Sequence, residues 1–146
     1  QTVSPETVIH YQALADFEEG VTADVGIAVV GELPYAEGFG DRACPALSAD
    51  DIAVLRKLRA RCHRLVVLLI SGRPLLITDE LPMIDALVAV WLFGTEALGV
   101  TDVVFGDAPF TGRLPYSWLR HADQIPLAAL KKSDDAPLWR FGDGLN

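Results

Sequence analysis

Apolar residues along this chain fall into two kinds of pattern. Short, nearly unbroken runs rich in Val, Ile and Leu occur at "ADVGIAVVG" (Ala23 to Gly31), "RLVVLLISG" (Arg64 to Gly72) and "DALVAVWL" (Asp85 to Leu92). Runs of this length without polar alternation predict strands covered on both faces of a sheet. Between the first and second run, Ile52, Leu55 and Leu58 recur at helical spacing instead. Ser48 stands at the N-cap position, and Asp50 and Asp51 fill the first turn. Arg56, Lys57, Arg59 and Arg61 gather toward the other end. That is the charge order a helix dipole favours, so apolar period and charge agree on a helix.

Strand, helix and strand in this order make a βαβ unit, which implies parallel strands and a right-handed crossover. After the third run, "TEALGVTDVVFG" (Thr95 to Gly106) predicts a second helix, weakened inside by Gly99 and ended by Gly106. "GRLPYSW" (Gly112 to Trp118) predicts a further strand, which Pro115 confines to an edge. The first 22 residues are polar and weakly patterned, with at most a short helix over Pro5 to Phe17, and the stretch after Trp118 reads as loop. The expected class is α/β, a mostly parallel sheet with helices on its faces.

Ligands of such sheets collect outside the carboxyl ends of the strands. Two loops leave that rim: Gly31 to Asp41, "GELPYAEGFGD", and Ser71-Gly72-Arg73. The first holds Glu32, Glu37 and Asp41 beside a Tyr, a Pro and three glycines.

Bulk properties narrow what this rim could serve. The 146 residues suit one domain with a real core, and 51% of them are hydrophobic, which excludes a disordered tail. A net charge of −8 without a basic stripe argues against nucleic acid and against anionic membrane surfaces. The longest apolar run, Ala86 to Phe93, falls well short of the roughly 18 residues that span a bilayer. Cys44 and Cys62 permit at most one disulfide and form no C-x-x-C pair, so they read as two free or partly buried thiols.

Several chemistries fail on spacing. Gly38-x-Gly40 comes too late after its strand for a dinucleotide fingerprint, no helix follows at once, and three carboxylates would face a pyrophosphate. There is no P-loop and no G-x-S-x-G; Ser71 lacks a histidine partner, because His10, His63 and His121 are scattered. His63, where helix meets strand, reads as a surface or capping residue. No set of His or carboxylates has metal-ligand spacing, so neither metal nor cofactor is implied. Carboxylate chemistry remains. A glycosidase needs one carboxylic acid near the leaving oxygen and a second carboxylate opposite. On spacing alone, the 31–41 loop is either the carrier of such an acid or a solvated acidic turn.

The order of motifs separates these readings. "VVGELPYAEGFGD", "LISGRPLLI", "DALVAVWLFGTEALGVTDVVFGDAPFTGRLPYSW" and "FGDGL" together resemble the C-terminal part of glycoside hydrolase family 3 enzymes. The likeness spans roughly residues 23 to 146, is strongest toward β-glucosidases and exo-β-glucan glucohydrolases, and has "FGDxxFTGRLPxSW" as its most specific motif. It implies an α/β sandwich domain that leans over a (β/α)8 barrel carrying a nucleophilic Asp. The G-E-x-P-Y-x-E-x-x-G-D loop supplies a glutamate as general acid/base; carried over, that residue is Glu37. Glu32, Tyr35 and Asp41 follow as supporting residues, and "SGRP" contributes Arg73. The substrate implied is a β-glucoside or β-glucan oligosaccharide, in a periplasmic or secreted setting.

Departures qualify the likeness. Phe93 stands where the family has Pro, and Ala97 and Leu98 where Gly or Gln is usual. No barrel and no nucleophile motif are present, and the sandwich itself reads as incomplete on its N-terminal side. The expectation is a domain inactive alone, bound to the missing barrel portion or to another copy of itself through an uncovered sheet face. A rival expectation is a non-catalytic module that binds saccharide or protein on the same rim.

Overall fold

The computed structural model describes residues 3–126 and 135–145. Three parallel strands form an open sheet in the order β1-β2-β3: β1 is Ala23–Gly31, β2 Cys62–Ile70 and β3 Ala86–Ala89. Their register runs from Ala23 opposite Cys62 to Gly31 opposite Ile70, and from Val66 opposite Ala86 to Leu69 opposite Ala89. Helix α1, Ala49–Arg59, makes the crossover from β1 to β2, and α2, Ala97–Val104, follows β3. The α/β class read from the sequence is the observed one.

Helix α1 begins as its sequence dictates. The Ser48 hydroxyl accepts the Asp51 backbone N–H at 3.1 Å and donates to the Asp51 carboxylate at 2.7 Å, satisfying an otherwise orphaned donor. Leu55 is completely buried and faces Ala28 and Val30 of β1 and Leu65, Val67 and Leu69 of β2 within one core. Leu47, Leu75, Ile77 and Trp118 close it, and the Trp118 indole N–H donates to the Leu75 carbonyl at 2.7 Å. Burying one such side chain stabilises by about 1.5–3 kcal/mol.

The opposite face is uncovered, which departs from the strands covered on both faces that the apolar runs predict. In β1, Gly26, Ala28 and Val30 are buried, whereas Val25, Ile27 and Val29 are 51, 39 and 59% exposed. The apolar run thus carries a two-residue period in burial that its composition hides, because both faces are built from the same residue types. The third strand is shorter than predicted; it ends at Ala89, and Trp91 turns the chain with φ +51°. Gly112 to Trp118 forms no strand of the sheet: Trp118 makes a single antiparallel bridge to Trp139. Pro5 to Phe17 is not helical. Its large apolar side chains Val8, Ile9, Tyr11 and Leu14 are exposed and, of residues 5–17, Ala15 alone is buried, so no apolar stripe supports a helix; Lys57 holds the segment through Asp16 at 2.5 Å.

Candidate active-site rim

Both loops singled out by the sequence leave the same edge of the sheet. Gly31 ends β1 so close to β2 that a Cβ there would lie 1.8 Å from the Ile70 carbonyl oxygen. Only glycine fits, and the next residue keeps the pairing, with the Glu32 N–H donating to the Ile70 oxygen at 2.9 Å. Glu32 therefore enters the rim at a fixed point. On the other side, the buried Ser71 hydroxyl donates to the Arg73 carbonyl at 2.7 Å, and Pro74, Leu75 and Ile77 anchor the chain that follows. That turn aims Arg73 back at Glu32.

The pair is intimate. One Glu32 carboxylate oxygen, Oε1, accepts from Arg73 Nη2 at 2.6 Å and from Arg73 Nε at 3.1 Å; the other, Oε2, accepts from the Tyr35 hydroxyl at 3.2 Å. The Glu32 side chain is only 3% exposed. The Arg73 guanidinium lies 5.0 Å from the Tyr35 ring centroid, a cation–π distance. The Glu32 hydrogen bonds hold the Arg73 proton above its ordinary range, and the Asp41 charge adds to this. Desolvation, then the Glu32 charge, pushes the Tyr35 phenol up.

Beyond Tyr35, the loop turns through a short 3-10 segment, Glu37–Gly40. Phe39 N–H donates to the Ala36 carbonyl and Asp41 N–H to the Gly38 carbonyl, at 3.3 and 3.1 Å. Glu37 opens this turn with φ +44°, in the left-handed region that non-glycine residues avoid, and its side chain is exposed. The structure thus joins Glu32, Tyr35 and Arg73, sets Asp41 at the loop's exit, and leaves Glu37 standing apart at the tip.

Sequence reasoning missed three contributors. Gly40 passes under the Tyr35 ring, where a Cβ would fall 2.1 Å from its Cδ2. Leu92, leaving β3, approaches Gly72 together with the Tyr35 hydroxyl, so three strand ends meet on this rim. Phe39 is 96% exposed two residues from Glu37. The signals for Gly40 and Leu92 were their neighbours in space, which no local pattern carries.

A cavity of about 1000 Å3 opens elsewhere, beside β3, lined by Trp91, Phe110, Leu114, Trp118 and Trp139 among others. None of Glu32, Tyr35, Glu37 or Arg73 borders it. Its lining is mostly apolar, with Asp85, Arg113 and Asp143 among it. Among the described residues no group of His, Cys, Asp and Glu could hold a metal ion, and no helix is long and apolar enough to cross a membrane.

An open parallel sheet with an acidic loop at its carboxyl ends defines the structural class, and comparison supplies the family. The model of the glycosyl hydrolase family 3 C-terminal domain matches residues 10–146, and the chain belongs to that family. The periplasmic β-glucosidase of Salmonella typhimurium is 36% identical over 107 residues, covering 72% of this chain and 14% of its own length. A β-xylosidase of Formosa agariphila is 31% identical, covering 89% of this chain and 21% of its own. Among solved structures, the exo-1,3/1,4-β-glucanase of a Pseudoalteromonas species shares 38% identity with a TM-score of 0.70, over 84% of this chain and 16% of that one. The chain spans between 14 and 21% of the length of these relatives.

Proposed function

We propose that this chain supplies the general acid/base, Glu37, to a retaining glycoside hydrolase whose nucleophile lies on a separate (β/α)8 barrel. The observation that carries the reading is the exposed Glu37 at the rim of the strands' carboxyl ends, in a loop rooted by Glu32 and Arg73. In the first step the nucleophile's carboxylate attacks the anomeric carbon as Glu37 gives its proton to the glycosidic oxygen. In the second, the Glu37 carboxylate takes a proton from water, which then displaces the sugar from the enzyme. The two carboxyl groups must stand about 5–5.5 Å apart across the scissile bond. One carboxylate on this chain cannot do both jobs, so alone it should be inactive.

The substrate class follows from the loop. Relatives are named for β-glucosides, β-glucans and β-xylosides. The G-E-x-P-Y-x-E-x-x-G-D pattern is that of exo-glucanases, so terminal β-linked glucose is the proposed sugar. Asp41 completes the loop, and Arg73 and Tyr35 support it. The uncovered face of β1, with Val25, Ile27 and Val29, is the proposed seat of the remainder of such an enzyme or of a second copy. A periplasmic or secreted setting accords with these assignments.

A second reading, a non-catalytic saccharide-binding module, is favoured by Phe39, whose exposed ring could lie against a sugar. Complementation separates the two. A relative's nucleophile-bearing barrel is mixed with this chain, and release of nitrophenol from the aryl β-glucoside is followed. Activity that appears on mixing and that Glu37→Gln removes supports the acid/base reading. Saccharide binding without activity supports the module.

A further inference from the structure

Three carboxylates share the 31–41 loop, yet the structure treats them unequally. Glu32 is buried and its oxygens are committed: Arg73 holds Oε1 through two nitrogens, and the Tyr35 hydroxyl holds Oε2. With three of its roughly four lone-pair sites taken and its side chain 3% exposed, this carboxylate is closed off from substrate and water, so it is not a second acid. Its partners reach further than itself. The Tyr35 ring has the Arg73 guanidinium 5.0 Å from its centroid, and the backbone of Gly40 presses against it. The tyrosine therefore touches the loop on its outward arm at residue 35 and on its returning arm at residue 40.

Between those two points run residues 36–39, closed by the hydrogen bonds from Phe39 to Ala36 and from Asp41 to Gly38. A span this short between fixed ends forces the chain into a tight turn, and the left-handed step falls on Glu37 at φ +44°. Gly38 stands beside it and would take that conformation without cost. Strain placed on the side-chain-bearing residue, where a neighbouring glycine offers relief, persists only when the surroundings impose it.

We propose that Glu32 is a positioning residue. Through Arg73 and Tyr35 it fixes the left-handed backbone at Glu37, and with it the direction of the exposed carboxyl. This rests on the reading of Glu37 as the acid/base, but the clamp itself is testable without catalysis.

The test uses the whole 146-residue chain in solution by NMR. A positive φ brings a residue's own N–H and Hα close, so Glu37 should show an intense intraresidue cross-peak. In Glu32→Gln and in Arg73→Lys, which keep size while weakening the clamp, that cross-peak should fall to the level of its neighbours. Amide exchange at Phe39 and Asp41 should rise by about tenfold as the loop opens locally. Exchange at Val67 and Leu69 in β2 should stay at the wild-type rate, which shows that the fold is intact. Wild-type cross-peak and exchange in both variants would overturn the clamp.

A second readout distinguishes positioning from mere support. In the complemented enzyme, Glu32→Gln should lower kcat/KM, which reads the leaving-group step, on an alkyl β-glucoside by roughly 10²-fold, the scale of a misplaced group. The loss on dinitrophenyl β-glucoside, whose leaving group needs no proton, should be smaller. Equal loss on both substrates overturns the positioning role. If Glu37→Gln still cleaves the alkyl glucoside, the acid/base reading fails even where the clamp stands.

Discussion

Toward the amino ends of β2 and β3, Asp85 accepts the Leu65 backbone N–H at 2.7 Å, Arg59 at 2.6 Å and Arg64 at 2.9 Å. At the carboxyl ends of β1 and β2, Glu32 accepts two nitrogens of Arg73 and the hydroxyl of Tyr35. Both clusters bind separate elements through one carboxylate and arginine. The amino-end cluster ties helix α1 to two strands and leaves no strained residue behind. The carboxyl-end cluster frames a loop whose tip carries an exposed acid on left-handed backbone. The same bonding serves stability at one end and, on our reading, the placement of chemistry at the other.

The comparison breaks most severely if the core between the two ends is cut. Leu55→Ala removes a wholly buried side chain from the helix that also carries Arg59, and should cost about 2–5 kcal/mol in denaturant unfolding. The rim alone is addressed by Gly40→Ala, which drives a methyl into the Tyr35 ring and should cost about 1–3 kcal/mol. In a Tyr35→Ala background the same change should cost measurably less, since its obstacle is gone.

The two ends are contrasted directly by their arginines. Arg73→Ala leaves the buried Glu32 carboxylate unpaired and should destabilise by about 1–3 kcal/mol. Arg64, whose side chain is 73% exposed, belongs to an open ion pair, and Arg64→Ala should cost about 0–1 kcal/mol. Equal costs would erase the distinction between a buried clamp and a solvated one.

Acid titration gives the smallest and most specific contrast. The Leu65 N–H, then Arg64 and Arg59, hold the Asp85 carboxyl down to about 2, below its ordinary 3.8. Its stabilisation is therefore complete above about 3.8 and is lost as pH falls through about 2. Thermal melts across this window should show a downward limb that Asp85→Asn flattens. An unchanged limb in that variant would place the acid sensitivity elsewhere.

Legibility in the sequence follows from how local each cause is. Helix α1 was readable to its cap, because Ser48, the acidic first turn and the basic last turn are all written within a dozen positions. The rim was readable because a parallel sheet puts successive strand exits on one side. Which side chains of β1 make up its uncovered face was not: Val25 and Val30 are the same residue type, and only the elements around them decide which is covered. Nor was the supposed strand at Gly112 to Trp118, where the chain spends its hydrogen bonds on Trp139 and Asp143 rather than on the sheet. Glu37 was singled out by resemblance, whereas its strained backbone and the closure of Tyr35 against Gly40 appear only in three dimensions.

The central claim is that Glu37 is the proton donor of a retaining glycosidase, and azide tests it most directly. In the enzyme complemented with Glu37→Ala chain, the sugar–enzyme intermediate from dinitrophenyl β-glucoside should accumulate for want of a base. Added azide, a nucleophile that needs no base, should then restore turnover and yield the β-configured glucosyl azide. A Glu37→Ala enzyme that turns over at the wild-type rate, with azide neither accelerating it nor appearing in the product, would contradict the account.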